Sequence, residues 1–210
     1  MFEKTINKKI STLAESLGES GVIKDFYLAG GTALSLRLGH RKSRDLDFFS
    51  QKNFNLTLLS DFLVSKLNAK IIIAETGTLL AEINGVKSSF FHYPYKNLEE
   101  TESWRSIALA SLIDISCMKI IAISQRAEKK DFFDFYEIIK LFSSEKLKAA
   151  LLEKYGRKSL NCYHILKSLF YFEDAESSPD PVSINGTKWK DVKAKIKELE
   201  KQLNNSFLKC

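Results

Sequence analysis

The run Gly30-Gly31-Thr32-Ala33-Leu34, with Arg41-Lys42-Ser43-Arg44-Asp45-Leu46-Asp47-Phe48-Phe49 close behind it, limits this chain more than any other stretch. It follows a short apolar strand, Phe26-Tyr27-Leu28-Ala29. Paired glycines permit a sharp turn and leave backbone N–H groups uncovered by Cβ atoms. Thr32 is placed to cap a helix from Thr32 to Leu38, whose N-terminal amides and positive dipole end face an anion. Beyond Gly39, Asp45-Leu46-Asp47 reads as a strand. Residues two apart on a strand share a face, so Asp45 and Asp47 point one way while Leu46 and Phe48 point to the core. Two carboxylates about 7 Å apart on one strand face offer hard oxygen ligands to divalent cations. Taken singly, a Gly-Gly pair is an ordinary turn and an Asp-x-Asp an ordinary solvated strand face. Asp is depleted in strands, however, and two in one strand ask for a reason. A phosphate-binding turn facing paired metal-binding carboxylates points to phosphoryl or nucleotidyl transfer.

Composition sets the outer bounds. A chain of 210 residues with 44% hydrophobic and 28% charged residues can bury a substantial core. No run reaches the ~18 uncharged apolar residues of a membrane span, and Met1-Phe2-Glu3-Lys4-Thr5-Ile6 lacks a signal-peptide core, so a cytoplasmic location is expected. The formal charge of +6 and pI near 9.1 are compatible with an acidic partner such as RNA. Cys117, Cys162 and Cys210 show no CxxC spacing, which suits a reducing compartment and argues against structural zinc. His40, His92 and His164 are scattered. Of these only His40 lies in the motif loop, where a plain loop role is the simpler reading.

The order of elements predicts an α+β protein, with a sheet-containing core over residues 1–98 and a helical domain over 99–210. Phe2, Ile6, Ile10, Leu13 and Leu17 space an amphipathic helix, and Leu56, Leu59, Phe62, Leu63 and Leu67 a second, capped by Asn55 or Thr57. Residues 70–95 read as three antiparallel strands, with Asn84-Gly85 the strongest hairpin signal. From Glu99 onward the pattern turns helical. Ser111-Leu112-Ile113-Asp114 resembles a capping box and opens a helix to about Lys129. Further helices are expected over 131–142, 145–155, 160–172 and 188–203, with 173–186 a loop. The last helix is rich in lysine, which suits either a solvated face or an RNA-binding one.

A second cluster lies on the helix from Asp114, where Lys119, Arg126 and Lys130 are seven and four residues apart and form a basic stripe. Lys119 interrupts an apolar run, where a lone cation needs a partner or a cleft. Asp131 and Asp134 then alternate with aromatic residues.

The segment GGTALSLRLGHRKSRDLDFF resembles the opening motif of the DNA-polymerase-β-like nucleotidyltransferase superfamily, and in particular the AbiEii/AbiGii nucleotidyltransferase-like toxins of abortive-infection systems. Lys119, Arg126 and Lys130-Asp131-Phe132-Phe133-Asp134-Phe135-Tyr136 resemble the family's second signature, with lysine where an arginine is usual. The resemblance implies a nucleotidyltransferase fold followed by a helical bundle. It also implies transfer of a nucleoside monophosphate from an NTP, with one or two Mg²⁺ ions bound by Asp45 and Asp47. Gly30, Gly31 and Thr32 would hold phosphates, with Arg41 and Ser43 shaping the loop or touching phosphate. Lys119 and Arg126 would neutralise triphosphate charge, and Asp131 and Asp134 would position the lysine or move a proton. The implied acceptor is RNA, such as a tRNA 3′ end, and the implied partner a separately encoded antitoxin. The chain departs from the superfamily at one point: Ser89 stands where a third carboxylate is expected, with Glu82 on the neighbouring strand as a substitute. That departure keeps open a binding module without turnover, and the motifs alone also admit nucleotidylation of a protein hydroxyl.

Overall fold

The first helix begins later than its apolar spacing suggests. Asn7 accepts a hydrogen bond from Ile10 N at 3.0 Å, and this cap starts α1 at Lys8 and runs it to Ser20. Ile10, Leu13, Ala14 and Leu17 form its buried stripe, while Phe2 stays half exposed on the preceding turn. The structure, a computed structural model, describes residues 1–207; Cys210 lies outside the described residues.

The chain then forms β1 (Tyr27–Ala29), α2 (Gly30–Leu38), β2 (Leu46–Ser50) and α3 (Leu56–Leu67). The strands β3 (Lys70–Glu75), β4 (Thr78–Ile83) and β5 (Val86–His92) follow as the expected antiparallel set, with Asn84 and Gly85 at positive φ in the tight turn between β4 and β5. Two more strands, β6 (Glu102–Trp104) and β7 (Ile107–Leu109), complete a seven-stranded mixed sheet of order β3-β4-β5-β2-β1-β7-β6. The helical character expected from Glu99 therefore begins only after Leu109. Three-residue strands are too short to show a period of two, and the turn between them rests on Arg105 and Ser106 at positive φ, which no glycine advertises.

Parallel pairing of β2 with β5 and of β1 with β7 buries the middle of the sheet, and Phe48 stacks on Phe90 at 5.1 Å across β2 and β5. Helices follow: α4 (Leu112–Arg126), α5 (Lys129–Leu141), α6 (Ser144–Tyr155), α7 (Cys162–Phe170), α8 (Glu173–Glu176), α9 (Trp189–Glu198) and α10 (Glu200–Phe207). Ser111 Oγ accepts from Asp114 N at 3.1 Å and caps α4 as expected. α4 packs against α2, α5, α6 and α7, so it links the sheet layer to the helices through one continuous apolar core. Two expectations fail here. The basic stripe does not run along one helix, because Ala127 at positive φ ends α4 and puts Lys130 on α5. The segment 173–186 is not wholly a loop, since it contains the short α8.

Candidate active site

β1 and β2 pair antiparallel with Ala29 opposite Asp47, and this places the Gly-Gly turn beside the acidic strand. Gly30 has φ +65°, and a Cβ there would lie 2.8 Å from Asp47 Oδ2. Any side chain at Gly30 would therefore strain the backbone and displace the carboxylate. At Gly31 a Cβ would collide with Arg41 Nη2. The helix starts at Gly30, with Ala29 as its N-cap and no side-chain cap bond, so Thr32 does not cap it. The Thr32 hydroxyl is buried, donates to the Asp45 carbonyl and sits 2.8 Å from Ser43 Oγ. Thr32 thus ties the helix to the loop before β2. The uncapped first-turn N–H groups of α2 remain beside Asp47, a favourable position for an anion.

Asp47 lies in β2 between the buried Leu46 and Phe48, as the strand period requires, whereas Asp45 sits one residue before the strand and not within it as expected. Both aspartates are partly exposed, and neither enters an ion pair among the described residues. Burial pushes the Asp47 carboxyl up, and Asp45 adds to this, while a hydrogen bond from Ser89 and the positive charge of Lys119 work against it. Ser89 lies directly across from Asp47 on the parallel strand β5, the position expected of a third acid. Glu82 sits farther off, on β4 opposite Lys87 and Lys70, separated from β2 by the width of β5. Among the described residues no group of three or more metal-ligating side chains assembles. Two carboxylates without cationic partners in one cleft fit a hard divalent cation that takes its other oxygen ligands from a phosphate or water.

The second signature meets the first in a buried ionic network. Lys119 Nζ contacts Asp131 Oδ1 at 2.9 Å and Asp134 Oδ2 at 2.6 Å. Arg41 donates to both oxygens of Asp134, from Nε at 2.7 Å and Nη2 at 2.8 Å, and from Nη1 to its neighbour Lys42 O at 3.0 Å. His40 Nε2 adds a contact to Asp134 Oδ1 at 2.7 Å, so His40 is a buried partner and not a loop bystander. Arg126, half exposed, forks onto Asp131 at 2.9 and 3.0 Å. Burial alone would raise both aspartates. Lys119 and Arg126 outweigh it and hold Asp131 below the usual carboxylate range, while Arg41, Lys119 and His40 hold Asp134 well below it. Burial likewise disfavours the Lys119 charge, and the two aspartates more than offset this. Lys119 therefore has both the partner and the cleft that its apolar setting required.

The network borders a cleft of about 460 Å³ lined by Gly31, Asp45, Asp47, Lys119 and Arg126. Arg41, Lys42, Ser43, Arg44 and Lys130 belong to it too, which makes its wall strongly cationic. One further wall, Pro179–Val182, lies outside both sequence motifs. This segment is fixed to the glycine-motif loop by Lys42 N to Val182 O and Ile184 N to His40 O, both 2.8 Å. A Ser-Ser-Pro-Asp-Pro composition signals a loop, but nothing in it signals where the loop docks.

Two solved structures share the fold across nearly the whole chain. JHP933 from Helicobacter pylori has a TM-score of 0.55 and 17% identity, covering 97% of this chain and 95% of that one. MenT4, a nucleotidyltransferase toxin from Mycobacterium tuberculosis, has a TM-score of 0.54 and 10% identity, covering 95% and 86%. An uncharacterised protein of Aquifex aeolicus, aq_aa25, is 36% identical over 176 residues, 82% of this chain and 85% of its own length. Residues 11–207 match the family described as nucleotidyl transferase AbiEii toxin, type IV toxin–antitoxin system, and the chain belongs to that family of nucleotidyltransferases.

Proposed function

We propose that the protein transfers a nucleoside monophosphate from an NTP to an RNA acceptor, such as a tRNA 3′ end, with Mg²⁺ held by Asp45 and Asp47. The observation that carries this reading is the convergence of the uncapped N-terminus of α2, two carboxylates without cationic partners and Lys119 in one cationic cleft. The bound ion would supply charge neutralisation at the reacting phosphate. The first-turn amides at Gly30, Gly31 and Thr32 hold phosphate oxygens, while Thr32 and Ser43 fix the loop that presents Asp45. Lys119 contributes a fixed positive charge near Asp47, and the exposed part of Arg126 offers a further donor. The acceptor hydroxyl oxygen forms a bond to the α-phosphorus, the bond to the bridging oxygen breaks, pyrophosphate leaves and the hydroxyl proton is released.

Carboxylates held low and saturated by cations are weak bases. That favours Asp131 and Asp134 as positioning residues for Lys119, Arg41 and Arg126 over a role in proton transfer. Arg41 is buried and uses Nε, Nη1 and Nη2 each once, on Asp134 and the Lys42 carbonyl, which favours the loop-shaping role for it. The net charge of +6 supports RNA over a neutral acceptor. A type IV toxin–antitoxin family implies an antitoxin partner. Among the described residues no helix is long and apolar enough to cross a membrane.

The deciding experiment incubates the protein with Mg²⁺, each labelled NTP in turn, total RNA and protein extract, beside the Asp45→Ala/Asp47→Ala variant. Label in an RNA band that the variant fails to produce is the expected result. Label in a protein band would replace RNA with a protein hydroxyl as acceptor. Nucleotide binding without any labelled product would make Ser89 the decisive departure.

A further inference from the structure

A transfer reaction brings two substrates to one centre, and the cleft of about 460 Å³ is of a size for one nucleotide ligand. A second groove of about 390 Å³ opens between the end of α4 and α7, beyond Arg126, and Arg126 lines both spaces. The Arg126 side chain is thus what the groove and the cleft share. The groove presents Lys167 and Arg126 against one acid, Asp174. Tyr171 is 52% exposed there and makes no ring contact among the described residues. The cation–aromatic run extends outward through Tyr163, also exposed, whose ring centre lies 5.2 Å from Lys167 Nζ. His164 Nε2 lies 3.0 Å from the Ser124 carbonyl, which can only accept, so the imidazole donates there and in its neutral form keeps Nδ1 as an acceptor.

An unstacked aromatic ring, two cations and a hydrogen-bond acceptor match a planar base, an anionic linkage and a ribose hydroxyl. We infer that the groove of Tyr171, Lys167 and His164 seats a terminal nucleotide of the acceptor RNA, with Arg126 at the boundary between acceptor and NTP. The assignment rests on the RNA reading of the acceptor given above.

The test measures binding of a fluorescent single-stranded RNA oligonucleotide, and separately of each NTP with Mg²⁺, to the intact protein and to Tyr171→Ala, Tyr171→Phe and Lys167→Ala. Loss of a stacking ring should weaken RNA binding about tenfold in Tyr171→Ala, with a smaller loss in Lys167→Ala and near-parent binding in Tyr171→Phe. NTP binding should be unchanged throughout, which also shows that the variants fold. If the parent binds and labels RNA while Tyr171→Ala and Lys167→Ala bind it equally well, the groove assignment is wrong and the RNA reading stands. If the parent neither binds nor labels RNA, the RNA reading falls and takes the groove assignment with it.

Discussion

Ser89 faces Asp47 across the parallel β2–β5 pair and hydrogen-bonds its carboxylate. Substituting an acid at this position would add a third carboxylate to Asp45 and Asp47. Like charges in a partly buried site repel, so Ser89→Asp should lower the thermal midpoint in EDTA. Added Mg²⁺ should restore it by more than in the parent, because a ligand that binds only the folded state stabilises it by mass action. Thermal scans of both proteins with and without Mg²⁺ decide the matter. Equal metal responses would show that Ser89 does not border the metal position.

Asp47 should separate activity from stability. Its charge is unfavourable in the fold, since burial and the neighbouring Asp45 both push the carboxyl up. Asp47→Asn keeps the shape and removes that charge. We expect transfer to fall by a factor on the order of 10² to 10³, as when a preorganised electrostatic group is lost, with a thermal midpoint equal to or above the parent's. A variant that loses activity and also unfolds at lower temperature would instead mark Asp47 as structural.

Asp134 should behave oppositely. It is fully buried and holds Arg41, Lys119 and His40 at once. Asp134→Ala strands the buried Arg41 and leaves Lys119 with Asp131 alone, which costs on the order of 3–5 kcal/mol. It also frees the Arg41 guanidinium that packs against Gly31, so the glycine turn should loosen. Equilibrium unfolding gives the first quantity, and NTP affinity at a temperature where the variant is folded gives the second. A loss below about 1 kcal/mol would show that solvent or a rearranged partner replaces the carboxylate.

The parts of the site legible in the sequence are the local ones. Gly30, Gly31, Asp45 and Asp47 lie within one strand–turn–helix–strand unit, so their mutual placement follows from strand period and turn chemistry. Thr32 shows the limit of that reasoning. A threonine after two glycines looks like a cap, yet the helix starts at Gly30 and the hydroxyl goes to the Asp45 carbonyl. The isolated charge of Lys119 signals a partner, and it is the family resemblance that offers Asp131 and Asp134 as the residues that position it. Nothing in the sequence shows that Arg41, 93 positions away, takes the other side of Asp134. The helix break at Ala127 and the turn at Arg105-Ser106 use positive φ at residue types that do not advertise it, so the sequence announces neither.

Acid should weaken the ionic network in a defined direction. Asp131 and Asp134 titrate below the usual carboxylate value in the fold, because their cationic partners outweigh the cost of burial. The unfolded chain then binds more protons than the folded one below about pH 4, the ordinary Asp value. The stabilisation is therefore fully present above that pH and is lost as pH falls through the lower folded values. Unfolding free energies of the parent and of Asp134→Asn, measured between pH 7 and pH 3, isolate the effect, since exposed acids common to both proteins cancel in the difference. The parent should be the more stable at pH 7, with the gap constant to about pH 5 and shrinking below pH 4. A gap that stayed the same at pH 3 would mean that Asp134 stabilises the fold by something other than its charge.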